Sequence, residues 1–301
     1  MKFPVFKFIS LWSLAILFTV STAFADTKTK HILFFSKSSG YEHSVIKTTN
    51  DLPSFSETIL IEISTKNNIE ITFTKDGRMF TPENIAKYDA FFFYTTGDLT
   101  EEGNDKNPPM SAEGKAAFLN AIKKGKGFIG THSATDTFHS PGNKEHGEAR
   151  YKDDGENADP YIKMIGAEFI KHGSQQSSRM ICVDKKFPGL SAVESEFAPM
   201  EEWYSLKNFA TNLHVLLIQD TAGMKGNMYE RAPYPATWAR MHGKGRVFYT
   251  SMGHREDVWT NPVFQKVLEG GINWAVRNID ASVKPNITKV TPRANELPPS
   301  Q

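Results

Sequence analysis

Gly127-Phe-Ile-Gly-Thr-His-Ser-Ala-Thr-Asp136 is the stretch that decides the fold. A short apolar strand, Gly127 to Gly130, follows a Gly-Lys-Gly break and runs into a turn of small residues. The tip of that turn carries an imidazole, a hydroxyl and a carboxylate. Open α/β sheets keep their chemistry in the crevice past the carboxyl ends of their strands, and a strand-to-turn junction presents a side chain there. A hydrolase elbow places Ser or Cys at this tip; this chain has His132.

Outward from that stretch, apolar β-rich runs alternate with helical patterns, which predicts a doubly wound, mostly parallel sheet with helices on both faces. His31 to Phe35 reads as the first strand, Val45 to Ile63 as an amphipathic helix broken near Pro53, and Ile69 to Phe73 as the second strand. Thr81 is a helix N-cap followed by Pro82. Asp89 to Tyr94 is a continuous apolar run and so a central strand, and Ser111 caps a helix reaching Lys124. The polar segment Ser140 to Asp159 reads as a surface loop over the crevice. Met180–Asp184, His214–Gln219, Ala236–Met241 and Arg246–Ser251 are further strands, and Pro262–Val276 is the last helix. The proline-containing tail, residues 281–301, lacks periodicity and is expected to be flexible or loosely draped. No internal repeat, phosphate-cradling glycine motif or basic-aromatic stripe is present, so neither a nucleotide cofactor nor a nucleic-acid partner is expected.

Residues 1–25 read as a signal peptide. Lys2 and Lys7 precede an apolar run from Phe8 to Val20, and Ala23-Phe24-Ala25 offers the small-x-small pattern for cleavage after Ala25. The run is shorter than the roughly 20 residues of a bilayer span. An exported protein, periplasmic or extracellular and without a membrane after cleavage, is the expectation. Cleavage takes two lysines from the chain's 35 basic residues and none of its 34 acidic ones, leaving it near neutrality, so no polyanion partner is implied. The remaining chain, residues 26–280, is long enough to bury one large core. The single Cys182 falls in a strand interior and reads as a buried thiol.

Four histidines follow strands or β segments: His43, His132, His172 and His254. Loops after central strands converge on one sheet edge, so these four are candidates for one pocket. With a carboxylate such as Glu202 they would suit a divalent Zn, Mn, Fe or Ni ion. Without a metal, imidazoles suit acid and base work on sugar hydroxyls and carbonyls near neutral pH. His31, His139, His146, His214 and His242 read as structural or solvent-exposed, with a lid carrying His139 as the one alternative.

The chain resembles the ThuA-like (trehalose utilisation) family, a branch of the class I glutamine amidotransferase-like superfamily. The resemblance rests on Gly130 to Asp136, Ile165 to His172, Glu201-Glu-Trp-Tyr204, Pro235 to Arg240 and Gly245 to His254, in family order and spanning His31 to Arg277. The family usually carries Pro after the histidine that is His172 here; this chain has Gly173, which implies a looser loop. The resemblance implies a flavodoxin-like sheet lacking the amidotransferase cysteine, and a role in handling disaccharides or their oxidised derivatives. It singles out His132 and His254 as catalytic. His254-Arg-Glu256 matches the His-x-Glu of the amidotransferases, in which Glu256 would orient His254, but the partner thiol is missing and glutamine hydrolysis is not expected. Ser133 is the alternative nucleophile, though without the Gly-x-Ser-x-Gly context.

Around these segments Ser133, Asp136, Glu202, Trp203, Tyr204 and Arg240 are candidates for a sugar's hydroxyls and apolar face, whereas Trp238 and Trp274 are expected in the core. The leading expectation is a carbohydrate-processing protein acting on a disaccharide or glycoside, in its 3-keto form, by acid–base or metal-assisted isomerisation, elimination or cleavage. A C3 carbonyl acidifies the C2–H, so a base and an electrophile suffice, and His132 and His254 would share those roles. The alternative is a non-catalytic sugar-binding or accessory protein with a degenerate amidotransferase-like pocket.

Overall fold

The structure, a computed structural model, describes residues 28–50, 52–104, 106–142, 147–191 and 193–300 together with Met1. The signal peptide expected over residues 1–25 lies outside the described residues, apart from Met1, and so does His146.

Strands β1 (Lys30–Phe35), β2 (Ile69–Thr74), β3 (Ala90–Phe93) and β4 (Gly127–Thr131) lie side by side in the order β2-β1-β3-β4, all parallel. Gly245–Thr250 adds a fifth parallel strand beside β4. From there Tyr234–His242, His214–Gln219, Met180–Cys182 and Glu196–Phe197 continue the sheet in antiparallel fashion, giving nine strands. The parallel half has the flavodoxin-like order, and the α/β class read from the sequence holds.

Two apolar clusters lie on opposite faces of this sheet. Ile32, Phe34 and Phe92 pack with Leu60 and with Phe264, Leu268 and Trp274, whereas Leu33, Phe35, Phe91 and Phe93 pack with Phe118, Ile122 and Tyr161. Successive β side chains point to opposite faces, so an unbroken apolar run such as Ala90–Phe93 serves both. Trp238 and Trp274 are buried in this core, as expected.

Three elements differ from expectation. The helix expected from Val45 begins only at Phe55, because Ser54 and Glu57 form a reciprocal capping box; upstream there is a single turn, Ser44–Ile46. The Ser140–Asp159 segment contains the short turns Glu148–Tyr151 and Gly155–Asn157, and the first buries Arg150. The tail, expected to be loosely draped, is packed among the described residues. The Asn286 side-chain amide accepts from the Val215 amide at 2.6 Å and donates to the Val215 carbonyl at 3.0 Å, and Asn295 clasps Phe209 in the same way. Ile287, on the short Ile287–Val290 helix, is buried. The asparagine amides supply the backbone pairing that a proline-containing segment cannot make for itself.

The Pro262–Ala275 helix lies so close to the sheet that a Cβ at Gly271 would meet the Phe248 ring at 2.4 Å. Gly271→Val should therefore destabilise by about 1–3 kcal/mol through overpacking. The urea midpoint checks this; an unchanged midpoint would contradict the close packing.

Candidate functional site

At the carboxyl end of β4 the chain turns through His132, whose φ of +44° lies in the left-handed region. A non-glycine residue held there costs about 1–3 kcal/mol and persists only when its surroundings enforce it. Here they do. The His132 carbonyl accepts from the Tyr249 hydroxyl at 2.7 Å, and the His132 Nδ1 lies 3.1 Å from the Ser251 carbonyl. A carbonyl only accepts, so Nδ1 carries the proton and Nε2 presents its lone pair. The elbow is built, with an imidazole at its tip.

Three other segments bring groups to that lone pair. His254 follows the Gly245–Thr250 strand, and its Nδ1 lies 3.2 Å from both His132 Nε2 and Glu202 Oε2. Glu202 Oε2 is 3.6 Å from His132 Nε2. His43, following β1, packs edge-on against His132 and His254 at ring-centroid distances of 4.8 and 5.1 Å. The ligand atoms of His43, His132, Glu202 and His254 all lie within 4.8 Å of one another. His43 is buried and its Nδ1 has no hydrogen-bond partner among the described residues. Burial, with His132 and His254 adding to it, holds the His43 imidazole well below its ordinary pKa, so it is neutral. Burial opposes ionisation of Glu202, yet its bond to His254 and the nearby His132 hold the carboxyl well below the usual carboxylate range. The His254 imidazole is pushed up despite burial, chiefly by Glu202.

Glu201 sets the register of this cluster. Its buried carboxylate accepts from the backbone amides of Gly253 at 2.7 Å and His254 at 3.1 Å through Oε2, and from Glu202 at 2.8 Å through Oε1. Gly253 has φ +123°, and a Cβ there would approach Thr131 Oγ1 to 2.9 Å, so glycine is required where the chain turns into His254.

The cluster opens onto a cavity of about 540 Å3 lined by His43, Glu202 and His254 together with Asp136, His139, Arg150, Phe169, His172 and Tyr204, among others. His139 and Arg150 were not anticipated as site residues. His139 is buried, with Nε2 2.7 Å from Asp136 Oδ1 and Nδ1 3.1 Å from Glu168 Oε1. No short motif marks it; the signal lay in its position between Asp136, three residues before it, and Glu168, distant in sequence.

The sequence-derived assignments divide accordingly. His43, His132 and His254 come together, and Glu202, proposed as a carboxylate partner, completes the group. His172 stands at its edge: the side chain is 44% exposed, 3.3 Å from Glu202 Oε1, and outside the four-residue cluster. Tyr204 and Asp136 line the cavity. Four assignments fail on geometry. Glu256 does not orient His254 but accepts from the Ser44 hydroxyl at 2.6 Å; Glu202 takes the place beside His254 Nδ1. Ser133 is fully buried, its hydroxyl has no partner among the described residues, and it does not line the cavity, so it is not placed for nucleophilic or substrate-binding work there. Trp203 is fully buried and donates to the Gln176 carbonyl, since strand alternation turns it away from the side on which Glu202 and Tyr204 lie. Arg240 is consumed by the Lys163 and Met164 carbonyls and lies outside the cavity.

The family model described as ThuA, trehalose utilisation, matches residues 31–275. The fold is similar to that of a thua-like protein from Bacteroides uniformis, at 18% identity over 85% of this chain and 94% of the other, with a TM-score of 0.59. It is also similar to a thua-like protein from Parabacteroides merdae, at 18% identity over 85% and 93%, with a TM-score of 0.54. Among curated proteins no match is found.

Glu168 gives the site an acid-labile anchor. Burial opposes its charge, but His139, Lys207 and Ser140 hold its carboxyl down at about 2 against an ordinary 4.5. A carboxyl depressed in the fold stabilises it above the unfolded value, and that contribution is lost as pH falls from about 4.5 towards about 2. The urea midpoint of the native chain should fall across that window by the equivalent of up to ~3 kcal/mol, and Glu168→Gln should flatten the fall. Parallel pH dependences for the two would remove Glu168 from that role.

Proposed function

Because the chain belongs to the ThuA (trehalose utilisation) family, we propose that it is an exported enzyme acting on a disaccharide or glycoside oxidised at C3, with a divalent cation held by His43, His132, Glu202 and His254. The convergence of those four ligand atoms within 4.8 Å of one another, beside a polar cavity, carries this reading. The donor set suits the ion. Three imidazoles and one carboxylate match Zn, Mn, Fe or Ni, and the buried His43 Nδ1 has no partner among the described residues. When bound, the cation would supply Lewis-acid stabilisation of charge on the C3 oxygen, which acidifies the C2–H.

The chain's own residues prepare for it. Ser251 fixes the His132 tautomer, and Glu201 fixes the separation of Glu202 from His254. Phe169 and Tyr204 offer ring surface for the apolar face of a pyranose, while Gln175 and Asp136 offer partners for its hydroxyls. His132 and His254 cannot then serve as the base and the electrophile foreseen from the sequence, because their lone pairs are the ligands.

Purified protein should carry about one divalent ion per chain by elemental analysis. By NMR it should convert a 3-keto-disaccharide in a reaction that a chelator stops. His132→Ala and His254→Ala should lose the ion and at least about 100-fold in turnover. Conversion at full rate by ion-free protein would remove the cation from the reading, and tight sugar binding without product would leave a binding protein. Export predicts that protein recovered from a secreting bacterial host begins at Asp26; an intact mass that includes residues 1–25 would argue against it.

A further inference from the structure

A buried carboxylate–imidazole–carboxylate chain, Asp136–His139–Glu168, enters the same cavity away from the four-residue cluster. Asp136 is 19% exposed at the cavity, His139 4% and Glu168 not at all, so the three run inward in that order. Glu168 is fixed at the inner end by the Ser140 amide at 2.9 Å, the Ser140 hydroxyl at 2.7 Å and the Asn208 side chain at 2.9 Å. Both His139 nitrogens face carboxylate oxygens, at 2.7 and 3.1 Å, and carboxylates only accept. Two carboxylate acceptors favour protons on both ring nitrogens, against the Arg150 Nη2 donor that also lies 3.3 Å from Nε2.

We propose that Asp136 is the general acid of this cavity and that His139 and Glu168 are the positioning residues that store its proton. The proposal rests on the glycoside reading above and adds the group that assists departure of the C1 substituent. The His139 Nε2–H bond breaks and its proton passes to the Asp136 carboxylate. The resulting carboxylic acid gives it to the oxygen leaving C1, which departs with the C1–O bonding pair as the C2–H pair forms the C1=C2 bond and the C2 proton passes to water. Asp136 returns to carboxylate, and His139 is left neutral with its Nδ1–H on Glu168 until water restores the proton.

The charged groups facing His139 decide when the store is full. Asp136 and Glu168 hold the proton. Arg150, on the Glu148–Tyr151 turn, sets Nη2 3.3 Å from Nε2 and pushes the proton off towards Asp136. Lys207 acts through Glu168, 4.0 Å away, and is itself paired with Asp154. Against burial, the two carboxylates raise the His139 pKa above its ordinary value. The store is full below that raised value and empties above it, so turnover should show an alkaline limb that belongs to His139. His172 is a poorer donor, being nearly half exposed with its Nδ1 engaged by the Gly173 carbonyl.

The test uses cation-loaded protein and 3-keto-glycosides with alkyl and nitrophenyl leaving groups. Asp136→Asn and His139→Gln should keep the ion while losing about 100-fold in kcat on the alkyl substrate, and His139→Gln should also keep the KM. Both should recover most of that loss on the nitrophenyl substrate, whose leaving group needs no proton. Glu168→Gln should move the alkaline limb to lower pH. Nitrogen-15 NMR of the native protein at pH 6.5 should show the His139 ring protonated at both nitrogens. Equal losses on the two substrates, an unmoved alkaline limb, or a singly protonated ring would overturn the proposal. A native protein that loads the cation but converts neither glycoside would sink the glycoside reading and the general acid with it. Normal turnover in His139→Gln would sink the general acid alone.

Discussion

The geometry of the site depends on one buried carboxylate that never reaches the cavity. Glu201 accepts three backbone amides, two from the turn that carries His254 and one from Glu202, and so fastens a segment from the far side of the crevice to a strand end of the main sheet. A carboxylate with three amide donors is a stiff joint, because each bond is charge-assisted and directional. Burial pushes the Glu201 carboxyl up, and the amides together with the nearby His132 and His254 oppose that rise. Without this joint, Glu202 would stand on a loop free to move relative to the imidazoles it meets. The strained His132 is fixed in the same spirit by the Tyr249 hydroxyl and the Ser251 carbonyl.

The cavity has two chemically unlike walls. On one, neutral His43 and the lone pair of His132 meet ionised Glu202, an arrangement short of positive charge. On the other, His139 and Arg150 stand beside Asp136, with Glu168, Lys207 and Asp154 behind them, an arrangement of paired charges. If the site binds a cation on one side and delivers a proton on the other, as proposed, it would use this separation. A proton donor among the ligands would compete with the metal, and a metal beside the donor would drive off its proton.

Much of this was legible in the chain. Gly127 to Asp136 announces a strand and an elbow, and the strand-end positions of His43, His132 and His254 follow from the parallel topology alone. What could not be read is where a side chain points after an irregular segment. Glu256 follows the family pattern of His-x-Glu, yet it opens the short Glu256–Trp259 helix and turns to Ser44, while Glu202 reaches His254 across a crossing that sequence spacing does not encode. Trp203 and Tyr204 are adjacent, so only one can face the cavity, and choosing between them required the phase of the Tyr204–Lys207 strand. His139 looked like a loop residue because its two carboxylate partners lie 3 and 29 positions away, one of them on another strand.

The elbow itself argues for the division of labour. In an amidotransferase-like crevice the tip residue must attack, and so needs a proton acceptor beside it. His132 cannot attack, and its Nδ1–H is committed to a carbonyl; what remains is one lone pair aimed at Glu202 and His254. The His254 proton shared between that lone pair and the Glu202 oxygen, 3.2 Å from each, joins the three groups at a point where a divalent ion would do so more strongly. Proton and cation would therefore compete for the same place, and binding of an ion there would release the proton. Imidazole in place of the nucleophile turns an attacking geometry into one that could coordinate a cation, as proposed above. The same substitution leaves the fold's proton traffic to be carried by residues outside the elbow.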